Sequence, residues 1–224
     1  MNVKNVKYKN QGIHAIAAIF TIENGEISVL LIKRKREPFK GKWILTGGAV
    51  YNDENVDKGL KREIKEKTGL TDLYFEQFGV FSEPKRSPML RMIAITYVAL
   101  VDIKNANIIK ETSNTLNAEW FNINDIPKLG YDHEEILDKA LEYLKKIILK
   151  SDIVKVLLPK HFTMPELQKI YEMLLNKKID RRNFRKKLLN LGLIEETNYE
   201  NLGRVGKPPK FYKFKDVITE KNIL

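Results

Sequence analysis

Hydrophobic residues in this chain gather first into short runs and later into stripes of helical period. The runs 14–20, 27–33, 75–81, 92–100 and 118–121 are rich in β-branched or aromatic residues and bounded by turn residues, which predicts five strands. Asn24-Gly25 between the first two predicts a hairpin. Between the second and third strands the Gly47-Gly48 pair reads as a turn, followed by a helix over about 55–68 that Gly69 ends as a left-handed cap. A second helix is expected from Asp132, capped by its side chain with Glu135 completing the box, and striped by Ile136, Leu137, Ala140, Leu141, Leu144, Ile147 and Ile148.

The pattern changes after residue 150. Thr163 and Glu166 form a capping box around Pro165, starting a helix to about 175. Asp180 caps another, with Phe184, Leu188 and Leu191 on its buried side and Gly192 as its stop. Strands at 193–196 and 210–214 then flank a long connection, 198–210, that holds two glycines and two prolines. Helix, helix, hairpin is the order of a winged helix, in which the second helix reads duplex DNA. Two domains are therefore expected, 1–150 and 151–224.

Composition sharpens this division. The absence of cysteine excludes disulfides, thiolate metal sites and a cysteine nucleophile, and suits a reducing cytoplasm. Neither a membrane-spanning run nor a signal-peptide core is present in the sequence, so a soluble chain with no membrane partner is expected. The net charge of +11 is unevenly placed. Residues 151–224 hold 16 Lys+Arg against 9 Asp+Glu, and residues 1–150 hold 24 against 20. Arg181, Arg182 and Arg185 crowd one short helix, and Arg204 follows in the connection. Together with Asn183, Lys186, Lys207 and Lys210 they are the candidate contacts to bases and phosphates of double-stranded DNA.

The candidate chemistry lies at 47–70. Glu63, Glu66 and Lys67 stand three and four residues apart and share one helical face, with Glu63 and Lys67 in the favourable order for an ion pair. Gly48, Glu54, Arg62, Glu63, Ile64, Glu66, Gly69 and Leu70 fall in the register of the Nudix box: Gly, five residues, Glu, seven residues, Arg-Glu-apolar-x-Glu-Glu-x-Gly-apolar. By this resemblance the first domain is an α/β/α sandwich with a mixed sheet, binding a nucleoside diphosphate joined to another group. In that family the helix carboxylates hold Mg²⁺, here Glu54, Glu63 and Glu66, with Glu63 and Glu66 the catalytic candidates if the domain is active. The chain departs from the pattern at Lys67, where an acid is usual, and at Thr46, where a proline is usual. A fixed ammonium then stands where the cation should be.

Arg34, Arg36, Trp43, Gly47, Gly48, Arg62, Arg86 and Arg91 are the candidate ligand-binding residues, arginine as a phosphate clamp and tryptophan as a stacking surface. His133 reads as a stabiliser of its helix start. A Nudix-like domain followed by a winged helix resembles the Nudix-related transcriptional regulators, typified by repressors of NAD biosynthesis and their sugar-catabolism relatives. The resemblance rests on the box and on segments 38–43, 74–88, 131–137, 162–196 and 203–214. It implies an operator-binding homodimer that answers a small effector, ADP-ribose, another nucleotide or a sugar. DNA binding then needs no cofactor, and Mg²⁺ matters only if the Nudix site is active. The alternative is an Mg²⁺-dependent pyrophosphohydrolase of ADP-ribose or a related compound, with the C-terminal part serving dimerisation or substrate cover.

Overall fold

The computed structural model describes residues 10–199 and 209–215, which form two compact units, 1–141 and 142–224. The division falls within helix α2, His133–Ile147.

The first unit is built on a six-stranded mixed sheet. Its strands are β1 (Gln11–Glu23), β2 (Glu26–Arg34), β3 (Trp43–Ala49), β4 (Tyr74–Phe81), β5 (Arg91–Leu100) and β6 (Thr115–Asn122), in the order β4-β5-β1-β3-β2-β6. The β1–β5 pairing is parallel, from Gln11↔Arg91 to Phe20↔Leu100, and the others are antiparallel. β1 and β2 join through Asn24 and Gly25, both at positive φ, as the hairpin signal requires. Helix α1 (Val56–Thr68) starts at Asn55, whose side chain accepts the Lys58 N–H, and ends at left-handed Gly69. Its buried Leu60 and Ile64 join Ala15, Ala17, Ile19, Leu30 and Ile32 in one core, where each fully buried aliphatic side chain contributes about 1.5–3 kcal/mol.

Two expectations are corrected here. Gly47-Gly48 is no turn: it lies inside β3, paired with Ile16 and Ala15 of β1. A Cβ on Gly47, at φ +154°, would overlap the Ala15 carbonyl, and one on Gly48 would overlap the Glu63 carboxylate. The glycines are required by close approach, not by a reversal of the chain. Nor does Asp132 cap α2. Both its oxygens are held by Arg86, at 2.8 and 2.7 Å, and the Leu129 N–H is taken by Glu134.

The second unit holds β7 (Phe162–Thr163), α3 (Met164–Leu175), α4 (Arg181–Asn190), β8 (Ile194–Thr197) and β9 (Phe211–Phe214), with sheet order β7-β9-β8. The Glu166 carboxylate accepts the Thr163 N–H at 2.6 Å, and Asp180 accepts the Asn183 N–H at 2.8 Å. Tyr171 of α3 meets Phe184 of α4 edge-on at 5.1 Å over buried Leu167, Leu174 and Leu188. Two helices followed by a strand pair is the winged-helix order that the sequence pattern predicts.

Candidate functional site

An open cavity of about 170 Å³ in the first unit is walled by β1, β3, α1 and the segment leading into α2. Of the expected ligand-binding residues, Arg34, Gly47, Gly48 and Arg86 line it, as do Glu63 and Lys67. Arg36, Trp43, Arg62 and Arg91 do not. Trp43 instead packs edge-on against Phe121 under Lys33, and Arg91 donates to the Ser82 carbonyl. Arg62 faces the acids of the box. A larger hollow of about 580 Å³ between α1 and β4 is lined by Lys61, Arg62, Lys65, Asp72, Leu73 and Phe75 among others, and none of Glu54, Glu63 and Glu66 lines it.

The charges of the box neutralise one another. Arg62 binds both oxygens of Glu54, at 2.6 and 3.1 Å, and meets Glu63 at 2.8 Å and Glu66 at 3.7 Å. Lys67 closes the other side of Glu63 with an ammonium to Oε2 distance of 2.8 Å, and donates a second hydrogen bond to the Gly47 carbonyl. Burial pushes the Glu63 carboxyl up, but Lys67 and then Arg62 outweigh it and leave it below the usual range. Hydrogen bonding from Arg62 holds the Glu54 carboxyl down and raises its own guanidinium.

These residues do not fit a divalent cation. A hard cation needs several free oxygen ligands. Both oxygens of Glu54 and of Glu63 already accept from Arg62 or Lys67, and the Gly47 carbonyl is taken by Lys67. Among the described residues no group of three or more acidic, histidine or cysteine side chains is arranged to hold a metal.

Among the further wall residues unassigned as ligand contacts are His14, Tyr131 and His133. His133 Nδ1 accepts the Leu45 N–H at 2.9 Å, so its proton stands on Nε2. Burial, then the nearby Arg86 charge, lowers its pKa to about 3, and the same causes with Lys67 lower His14 to about 4. Both imidazoles are neutral at physiological pH. The Tyr131 ring stacks on His133 at 5.4 Å and lies 5.5 Å from the Arg34 guanidinium. Arg34 is anchored through the carbonyls of Pro38 and Glu37, at 2.5 and 3.2 Å, and has no carboxylate partner among the described residues. A fixed, uncompensated guanidinium beside neutral imidazoles suits an anionic ligand. No local signal marks His14, Tyr131 or His133, because they meet only through the sheet and the approach to α2.

In the second unit the expected DNA-contacting residues divide. Arg182, Asn183 and Lys186 are exposed on α4. Arg181 donates to Gln168 of α3 at 2.8 Å, and Arg185 donates to the Tyr212 hydroxyl at 2.7 Å. Lys210 pairs with Glu196 at 2.5 Å. Arg204 and Lys207 lie outside the described residues.

Comparison with known proteins matches each unit separately. Residues 12–141 match the model of the NUDIX domain, and residues 154–214 match that of the NrtR DNA-binding winged helix domain. An ADPR responsive transcriptional repressor of Acinetobacter baylyi is 31% identical over 202 residues, covering 88% of this chain and 79% of that protein. An ADP-ribose pyrophosphatase of Methanocaldococcus jannaschii is 38% identical over 131 residues, covering 58% of this chain and 76% of its own. The crystal structure of Shewanella oneidensis NrtR complexed with a 27mer DNA superposes with a TM-score of 0.79 at 28% identity, over 91% of this chain and 93% of that one. With a mixed-sheet Nudix domain over more than half its length and a winged helix behind it, the chain belongs to the Nudix family, among the NrtR-type transcriptional regulators.

Proposed function

We propose that this chain is a ligand-responsive repressor whose winged helix, 151–224, grips operator DNA while the Nudix domain, 1–150, senses ADP-ribose or a related metabolite. The observation that carries the reading is the Lys67 ammonium seated between Glu63 and the Gly47 carbonyl. It keeps a phosphate-friendly cavity while removing the ligands that metal-assisted hydrolysis requires. Arg34 and Lys67 would receive the diphosphate, with the neutral His14 and His133 offering donors or acceptors that carry no charge. Arg182, Asn183 and Lys186 would face the major groove from α4.

A homodimer on a two-fold operator fits a helix-turn-helix reader. A DNA partner, the absence of cysteine and the absence among the described residues of a helix long and apolar enough to cross a membrane support a cytoplasmic placement. The pyrophosphohydrolase reading is favoured by one observation, the 38% identity to an ADP-ribose pyrophosphatase. Duplexes selected from a randomised library test both readings. The repressor binds selected duplexes more tightly than scrambled ones, shifts affinity with ADP-ribose, and releases no AMP in Mg²⁺. Robust Mg²⁺-dependent AMP release without discrimination between duplexes would reverse the assignment.

A further inference from the structure

One carboxylate in the second unit sits among the cations that DNA would meet. Glu196, on β8, holds the Lys210 ammonium on Oε1 at 2.5 Å and faces Arg185 Nη2 from Oε2 at 3.5 Å. Arg185 comes from α4 and Lys210 from the entry to β9, so a single acid ties the recognition helix to the wing. Arg185 is further steadied by its 2.7 Å hydrogen bond to the hydroxyl of buried Tyr212. The neighbouring Glu195 pairs instead with Lys213 and Lys215, at 2.9 and 3.8 Å, on the opposite face of the strand.

A guanidinium and an ammonium converging on one carboxylate are also the donors that hold a phosphate group. We infer that Glu196 is a built-in stand-in for a DNA phosphate: it keeps Arg185 and Lys210 together in the free protein and opposes any backbone phosphate that approaches them. The inference rests on the DNA-binding reading above. A random duplex offers only its phosphates, so the carboxylate weakens that complex in full. An operator adds base contacts from α4 that seat the backbone closely enough to displace it. Glu196 is therefore a positioning residue that widens the gap between operator and random DNA. Its side chain is 41% exposed, and exposed ion pairs of this kind contribute little to folding, so its replacement leaves the fold intact.

The test uses the full chain and fluorescence anisotropy with a library-selected duplex and a scrambled duplex of equal length, over a range of salt. Glu196→Gln is expected to tighten scrambled-duplex binding about fivefold near 0.15 M salt and to steepen the slope of log affinity against log salt by about 0.9 for one added phosphate contact. Selected-duplex affinity changes less, so the ratio between the two falls. In a background carrying Arg185→Gln and Lys210→Gln, Glu196→Gln leaves the slope unchanged. Scrambled-duplex binding that is unaltered or weaker in Glu196→Gln overturns the inference. So does an equal steepening in the doubly substituted background, which would reduce the effect to bulk charge. A wild-type chain that binds no duplex at any salt overturns the DNA-binding reading itself, and the inference with it.

Discussion

Replacing Lys67 puts the neutralised box under direct test. Its ammonium lies 2.8 Å from Glu63, with the two side chains only 13% and 9% exposed. At an effective dielectric near 20 such a pair attracts by about 6 kcal/mol, and desolvation of both ends cancels much of it. Removing one member of a buried pair typically costs about 3–5 kcal/mol. Glu63 retains Arg62 on its other oxygen at 2.8 Å. Lys67→Met is therefore expected at or below the bottom of that range, about 2–3 kcal/mol, including the Gly47 carbonyl left without its donor. For a chain of this size that lowers Tm by about 5–10 °C. Lys67→Glu adds repulsion against Glu63, and leaves Glu63 Oε2 and the Gly47 carbonyl without the ammonium that stood between them. Millimolar Mg²⁺ is expected to restore part of its lost Tm, by binding the folded state alone, and to leave the wild type unmoved. Calorimetry in Mg²⁺ and in EDTA reads both effects. Lys67→Met within 1 °C of the wild type (on the order of a few tenths of a kcal/mol), or a destabilised Lys67→Glu indifferent to Mg²⁺, would refute the view that the ammonium replaces a metal.

Other expectations concern both units. Arg182→Ala weakens binding to every duplex and flattens its salt slope by about 0.9, whereas Arg181→Ala, which removes the donor to Gln168, loosens α3 against α4; equal slope changes in an anisotropy titration would contradict the division. Gly48→Ala forces a Cβ into the Glu63 carboxylate and is expected to cost about 1–3 kcal/mol by overpacking, with loss of ADP-ribose binding in calorimetry; an unchanged affinity would place the ligand elsewhere. Burial lowers His133 to about 3 and His14 to about 4, against about 6.5 in an unfolded chain. The unfolded chain thus binds more protons in that window, so stability is full above pH 6.5 and falls on acidification, by up to about 1.4 kcal/mol per pH unit for each histidine. His133→Asn, whose amide oxygen can accept the Leu45 N–H, flattens the denaturation profile between pH 4 and 6.5; an equally steep profile would count against a buried neutral imidazole.

What the residues determined by themselves was local. The Asn24-Gly25 hairpin, the start of α1 at Asn55, its end at Gly69 and the Asp180 cap of α4 each depend on side chains a few positions apart. The box register and the helix, helix, hairpin order of the second unit are equally matters of spacing along the chain, and the family follows from them. Lys67 opposite Glu63 was legible for the same reason, as an i,i+4 pair on one helix. Tertiary structure decided the rest. The Gly47-Gly48 pair reads as a turn until β1 is laid beside it, and then each glycine answers to an atom far away in sequence. Asp132 leaves its expected cap because Arg86, 46 positions earlier, offers a bidentate partner at 2.7 and 2.8 Å. His14, Tyr131 and His133 become one wall only when a strand and the approach to α2 converge, and Arg181 and Arg185 turn to Gln168 and Tyr212 across the winged helix. Periodicity and caps record which face of an element is buried; which distant group meets that face is set by the folded chain alone.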